Sequence, residues 1–371
     1  QDAPGPAGRC WALKHVSKEL RRDRDIVLQA VRKDGRALEY ASEELRGDRD
    51  LVLEAVGNCG LALQYASQEL RGDWDIVREA LRQDAPGPAR RCWAFKHVSK
   101  ELRRDRDIVL QAVRNNGKVL LLASEELRGD RGIVLEAVRA EGSALEHASE
   151  ELCGDRDIVL EAVRKDCWAL KHAPEELRGD RDIVREAVRN NGLAFEFASA
   201  DLRGDRDILL QAVRNNGRAL KHASEELRGD RAIVLEAVRN NGLALLFASE
   251  DLCRDRDIAL EAMRQDGLLL VHVVEELRGD RDIVREAVRN NGLAFEFASG
   301  GLRGDRDILL QAVRNNGRAL EHAPGELRGD RDIALEALRQ DAPGPAGRCW
   351  ALKHVSKELR RDRDIVLQAV R

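Results

Sequence analysis

A string of the form Glu-Leu-Arg-Gly-Asp returns along this chain at a fixed step, and that period constrains the fold more than any single residue does. Its leucine falls at Leu20, Leu45, Leu70, Leu102, Leu127, Leu152, Leu177, Leu202, Leu227, Leu252, Leu277, Leu302, Leu327 and Leu359, fourteen copies in all. The step is 25 residues except from Leu70 to Leu102 and from Leu327 to Leu359, where it is 32. Each long step holds an Ala-Pro-Gly-Pro-Ala segment, at 85–89 and 342–346, and the same segment stands at 3–7. Residues 1–32 and 340–371 are identical, and 181–224 differs from 281–324 at four positions. A unit this short cannot cover its own apolar face, so neighbouring copies must cover it for one another.

The unit from Asp48 to Gly72 shows the local logic. Asp48 is suited to N-cap a helix and Asp50 to sit in its first turn. Leu51, Val52, Ala55 and Val56 then follow at helical spacing. Six copies end this helix in Arg-Asn-Asn-Gly, as at 189–192. Arg complements the helix end, and Gly is expected as a left-handed cap. A shorter second helix is predicted from Leu61 to about Ala66, with Ala62, Leu63 and Ala66 inward. Ser67 then caps one further turn that plants Leu70; Pro174 and Pro324 fill the Ser slot in two copies, where a new turn starts. Alanine stands at the Ala55 slot in every copy, for example Ala30, Ala80, Ala112 and Ala187, which predicts close helix approach there.

The expected fold is therefore all-α, an α-solenoid of about fourteen 25-residue helix-pair repeats. The expected boundaries are a Pro/Gly linker at 1–8, three repeats at 9–84, an insert at 85–91, ten repeats at 92–341, an insert at 342–348 and a terminal partial repeat at 349–371. The leucine-rich repeat has a similar period, but its strand signature is absent. The consensus Asp-Arg-Asp-Ile-Val-Leu-Glu-Ala-Val-Arg-Asn-Asn-Gly, followed by Leu-Ala-Leu-Glu-His-Ala-Ser-Glu-Glu-Leu-Arg-Gly-Asp, resembles the tandem repeat family catalogued as domain of unknown function 4116. The resemblance rests on Asp48, Ala55, Gly60, Leu63, Ala66, Leu70 and their equivalents. It implies an all-helical fold and no catalytic residue.

Charge narrows the partners. With 63 Lys+Arg against 67 Asp+Glu, the chain offers no electrostatic drive toward nucleic acid or an anionic membrane. No apolar run approaches a membrane span. The seven cysteines are dispersed without a CxxC pair: Cys10, Cys92, Cys167 and Cys349 take a slot that is usually Gly, and Cys153 and Cys253 one that is usually Arg. That pattern is neither a disulfide framework nor a zinc site, and it predicts a reducing, intracellular and cytoplasmic setting. The chain starts at Gln1 and its one methionine is Met263, which predicts a piece of a longer or processed protein.

Three motifs invite sharper readings. All eight histidines share one repeat slot, which other copies fill with Tyr40, Tyr65, Leu122, Phe197, Phe247 or Phe297; a metal ligand or general base does not tolerate Phe, so the slot wants a half-buried ring. Arg-Gly-Asp recurs, but copies reading Arg-Arg-Asp (21–23), Cys-Gly-Asp (153–155) and Cys-Arg-Asp (253–255) keep only the Asp, as an N-cap requires. The Asp-x-Asp pairs lack an EF-hand or nonapeptide context for calcium. With no phosphate loop, nucleophile elbow or Cys/His pair, the expectation is a chain that is not an enzyme and takes no cofactor or metal.

What varies among copies is the expected outward stripe of the second helices, at the slots of Leu61, Gln64, Tyr65 and Gln68, read at α-helical spacing. Its candidate contact residues are Trp11, Trp93, Lys96, Trp168, Lys171, His172, Lys221, Trp350 and Lys353. The tryptophans either pack on the neighbouring inserts or anchor a partner. The leading expectation is a scaffold binding a protein or peptide. The alternatives are an RNA-reading helical array and an accessory array of a larger enzyme.

Overall fold

The computed structural model describes residues 11–83, 94–340 and 350–370. The segments 1–8, 85–91 and 342–348, together with Trp93, Cys10, Cys92 and Cys349, lie outside the described residues. All regular structure among the described residues is helical, without a strand. The chain divides into two compact units, 1–187 and 188–371, each an all-α solenoid. Within each unit the first helices of successive repeats lie side by side in one layer and the second helices in another, and each second helix also packs on the first helix of its own repeat and of the next.

A repeat carries three helical segments rather than two. In the second unit these are Arg206–Asn215, Gly217–His222 and Glu225–Arg228; in the first, Arg131–Ala140, Gly142–His147 and Glu150–Cys153. The first is an α-helix that starts as its sequence predicts. Asp205 accepts from the N–H groups of Asp207 and Ile208, both at 3.0 Å, satisfying two of the donors a helix start leaves open. Ile208, Leu209, Ala212 and Val213 are fully buried, as are Ile133, Val134, Ala137 and Val138.

The end of that helix corrects the expectation. No described residue has positive φ, glycines included. The chain turns instead at Asn216, extended at φ −150° and ψ 110°, whose Oδ1 accepts from the Arg218 N–H at 3.1 Å and caps the second segment. Gly217 is small for a different reason. A Cβ there would land on the carbonyl oxygen of Ala237 in the next repeat and 3.1 Å from the Asn241 Cβ. At Gly317 the corresponding oxygen, that of Ala337, would be 2.6 Å away. The invariant Ala and the recurrent Gly are the two halves of one contact.

The second segment is a six-residue 3-10 helix, not an α-helix: Ala219 N–H donates to Asn216 C=O and Ala223 N–H to Leu220 C=O, each three residues back. With three residues per turn, side chains at i and i+3 eclipse, so the outward stripe is the second and fifth slots of this segment, Arg218 and Lys221 here.

Three ladders tie repeat to repeat. Where a first helix begins with Arg, that Arg reaches the N-cap Asp of the next repeat, as in Arg24–Asp48 at 2.8 Å, Arg156–Asp180 at 2.7 Å, Arg231–Asp255 at 2.8 Å and Arg306–Asp330 at 2.7 Å. The first Asn of Asn-Asn-Gly staples backward: Asn240 Nδ2 donates to Arg214 C=O at 2.9 Å while its Oδ1 accepts from Gly217 N–H at 2.7 Å. Asn290 does the same with Arg264 and Gly267. Finally, the Ser backbone N–H donates to the preceding repeat's Arg carbonyl, as in Ser149 to Arg128 and Ser249 to Arg228, both 2.9 Å. Pro174 and Pro324 have no N–H for this rung.

Candidate interaction surface

The ladders dispose of two tempting readings by supplying partners. Arg231 bridges Asp255 at 2.8 Å and Asp257 at 2.6 Å, so a guanidinium already occupies the place a cation would take between the Asp-x-Asp carboxylates. Among the described residues no group of three or more His, Cys, Asp or Glu side chains could hold a metal ion. In Arg203-Gly204-Asp205 the arginine turns inward, its Nε donating to Ala198 C=O at 3.1 Å and its Nη2 to Glu196 C=O at 2.7 Å, while Asp205 caps a helix. Cys153 stands in for that arginine with its Sγ 3.3 Å from Leu145 C=O. Burial pushes the Cys153, Cys167 and Cys253 thiols up, and Cys59, Cys153, Cys167 and Cys253 are all free.

The ring slot lies between repeats. Ala169 and His172 share one ridge of the 3-10 helix Cys167–His172; Ala169 is fully buried, and the His172 side chain is only 16% exposed. Its Nε2 sits 3.9 Å from a Glu146 oxygen of the preceding repeat, and His322 Nε2 is as far from Glu296. Tyr65 faces Glu39 in the same way; burial, and then that carboxylate, raise its hydroxyl to about 12. A polar ring follows each Glu along the stripe: Tyr65, His172, His222, His322 and His354 succeed Glu39, Glu146, Glu196, Glu296 and Glu321. Burial lowers the proton affinity of His97, His147, His172, His222 and His354. The slot is a packing position with a polar edge, and His172 belongs to it rather than to the open face.

The open face is the other ridge. Trp168 and Lys171 eclipse there, with Trp168 38% exposed and Lys171 exposed, as are Lys96, Lys221 and Lys353. Lys96 also borders an open cleft of about 660 Å³ with His97, Lys100, Arg71 and Arg103. Trp11 and Trp350 begin the short α-helices Trp11–Lys14 and Trp350–His354; their side chains lie outside the described residues.

Sequence reasoning missed the most distinctive stretch of this ridge. Leu243, Leu246, Leu268 and Val271 occupy its two slots in two consecutive repeats and are 40%, 44%, 37% and 41% exposed. Contiguous exposed apolar side chains of this kind mark contact surfaces. The signal was present in the strings Leu-Ala-Leu-Leu-Phe (243–247) and Leu-Leu-Leu-Val-His (268–272), where both outward slots turn apolar together. The stack is looser here as well. Leu269 takes a slot that is Ala in the neighbouring copies (Ala219, Ala244, Ala294), and its Cδ1 would lie 2.7 Å from a Cβ on Gly242, whose approach to the Ala262 carbonyl opens to 3.3 Å. A larger side chain wedges the 3-10 helices Gly242–Phe247 and Gly267–His272 apart.

No curated protein matches this chain. Among solved structures, the crystal structure of an engineered protein is 13% identical, covering 98% of this chain and 94% of that one, with a TM-score of 0.17 that carries no argument. The sequence pattern of a domain of unknown function (DUF4116) matches at 9–46, 48–85, 89–128, 130–178, 155–203, 205–253, 255–303 and 305–342. Those spans hold the Asp cap, the Ala–Gly contact and the Asn staple in copy after copy, and the chain is a member of the DUF4116 family.

Proposed function

We propose that this chain is a non-enzymatic intracellular scaffold that binds a protein or peptide on the outward ridge of its second helices. The observation that carries this reading is the apolar quartet Leu243, Leu246, Leu268 and Val271, exposed side by side on two consecutive repeats whose first helices are tied by Arg231 to Asp255. A rigid frame with varied outward side chains binds at low ordering cost. An RNA reader is disfavoured, because the ridge alternates Lys171 and Lys221 with Glu146, Glu196 and Glu296 instead of presenting a basic track.

The test is retention of a partner on the immobilised chain, followed by affinity measurement with that partner purified. Changing Trp168→Ala and Lys171→Glu together should weaken binding by at least about tenfold, or about 1.4 kcal/mol, with helicity unchanged. Binding that survives this change, but is lost on altering Arg185 and Arg285 on the first helices, would place the surface on the opposite layer.

A further inference from the structure

Within the ridge, one stretch is complementary to itself. In consecutive repeats of the second unit its two outward slots read Arg218 and Lys221, then Leu243 and Leu246, then Leu268 and Val271, then Leu293 and Glu296. A basic repeat, two apolar repeats and an acidic repeat thus stand in line. We infer that this stretch takes a second copy of the same chain, packed with its repeats in reverse order as a two-fold dimer. The inference rests on the reading of the ridge as a contact surface and names the occupant of one part of it.

The pairing follows from symmetry. A two-fold axis running along the second helices, midway between Gly242–Phe247 and Gly267–His272, reverses the order of repeats and keeps each slot opposite its equivalent. Leu243 then meets Leu268 of the other copy, Leu246 meets Val271, Arg218 meets Leu293, and Lys221 meets Glu296. Every pair occurs twice. The apolar side chains cover one another at the centre, and an ion pair closes each rim, the arrangement of an interface with an apolar core and a polar edge. Arg218 lays its aliphatic stem on Leu293 and keeps its charged head in solvent. His322 Nε2, the neighbour of Glu296, is 3.9 Å away, beyond hydrogen-bond distance.

The register is fixed by what the alternatives bury. An axis through the Gly242–Phe247 segment sets Lys221 on Val271 and Glu196 on Glu296, and an axis through Gly267–His272 sets Glu296 on Leu246 and Arg218 on Arg318; neither gives Glu296 a cationic partner, and each opposes a pair of like charges. In the favoured register the next repeats outward oppose Glu196 to Glu321, like charges that end the contact after four repeats. A different protein as occupant has no reason to find opposite charges at symmetric distances from an apolar centre.

An apolar core of four side chains per copy lies at the weak end of interface sizes, so the dimer is concentration-dependent. Sedimentation velocity on the full chain across a dilution series should show the mass passing from dimer to monomer. Leu246→Glu with Val271→Glu should raise the dissociation constant by at least about tenfold, with far-ultraviolet circular dichroism unchanged, because both side chains already face solvent. Lys221→Glu alone and Glu296→Lys alone should each weaken the dimer, and the two together should restore it. A monomer throughout the series, a dimer untouched by the Leu246 and Val271 changes, or a charge swap that fails to restore association would overturn the inference. A monomer that still loses its protein partner on the Trp168 and Lys171 changes would overturn the dimer alone and leave the scaffold reading standing.

Discussion

The Ala–Gly contact predicts an effect whose sign separates two explanations of the same glycine. Gly292 has negative φ, like every other described glycine. Were its role only conformational freedom, Gly292→Ala would stabilise by about 0.4–1 kcal/mol, since the unfolded chain would lose more freedom than the folded one. The surroundings say the opposite. A Cβ on Gly292 would land on the Ala312 carbonyl oxygen, 2.9 Å from the Asn316 nitrogen and 3.0 Å from the Asn316 Cβ. Most of these atoms are backbone, and none is the far end of a flexible side chain that could swing aside, so the two repeats must separate. Overpacking of this kind costs about 1–3 kcal/mol. Separation also stretches the staple, in which Asn315 Oδ1 accepts from Gly292 N–H at 2.7 Å and Asn315 Nδ2 donates to Arg289 C=O at 2.9 Å. Two hydrogen bonds at about 1 kcal/mol each bring the expected loss to about 3–5 kcal/mol.

Urea unfolding followed by circular dichroism measures the loss. Amide exchange over 289–316 localises it, which matters because a repeat array need not unfold in one step. Gly325→Ala is the control: nothing lies within 4 Å of its Cβ position, so it should be neutral or slightly stabilising. A Gly292→Ala variant as stable as the parent would refute the close approach.

Three further outcomes follow from the ladders and the ring slot. Asp330→Ala removes the cap that accepts from Asp332 and Ile333 and should cost about 1 kcal/mol, whereas Arg306→Ala, which removes only exposed ion pairs to Asp330 and Asp332, should cost less than that and fade at high salt; equal losses would contradict this ranking. Ser249→Pro deletes the N–H rung to Arg228 and should cost about 1 kcal/mol in thermal unfolding while leaving helicity intact; Pro174 shows that the backbone accepts the ring. Acidification should act in two windows. Burial depresses His97, His147, His172, His222 and His354 from 6.5, so the unfolded chain takes up protons first, and their contribution, full above 6.5, is lost as pH falls through the folded values. The guanidiniums of Arg24, Arg231 and Arg306 hold Asp48, Asp255 and Asp330 below 3.8, so their share persists until pH drops beneath that value. A melting temperature flat from pH 7 to 4.5 would contradict the first window.

What the sequence disclosed was whatever repeats in one dimension. The period, the Asp caps, the buried quartet of each first helix and the invariant Ala all appear as identity or spacing along the chain. Whatever joins residue n to a residue about one repeat later was hidden. Nothing local says that Arg231 bonds to Asp255, that Asn240 staples back to Arg214, or that Gly217 is small because Ala237 lies beneath it. The same limit explains the stripe. At α-helical spacing His172 shares a face with Trp168 and Lys171; the 3-10 winding of Cys167–His172 turns it under the next ridge, and six residues are too few for periodicity to tell the two windings apart.

Variation along the array follows from these constraints, and the apolar quartet does not. Two exposed slots of the first helices hardly change: the one holding Glu236 is Glu or Gln in every copy, and the one holding Arg231 takes Arg in most; Glu236 pairs with Arg214 of the preceding repeat, and Arg231 with Asp255 of the next. The ridge has no such task, so it varies. Between the near-identical blocks 181–224 and 281–324 the differences are Ala200 against Gly300, Asp201 against Gly301, Lys221 against Glu321 and Ser224 against Pro324, none of them in the buried quartet of a first helix. Unconstrained drift yields charged and polar residues singly and in mixture, as at Glu196, Lys221 and Glu321. It does not place four exposed aliphatic side chains side by side, where each adds to a patch that invites association, nor set a basic repeat on one side of them and an acidic one on the other. That stretch, 218–296, is where the proposed self-contact of this frame lies.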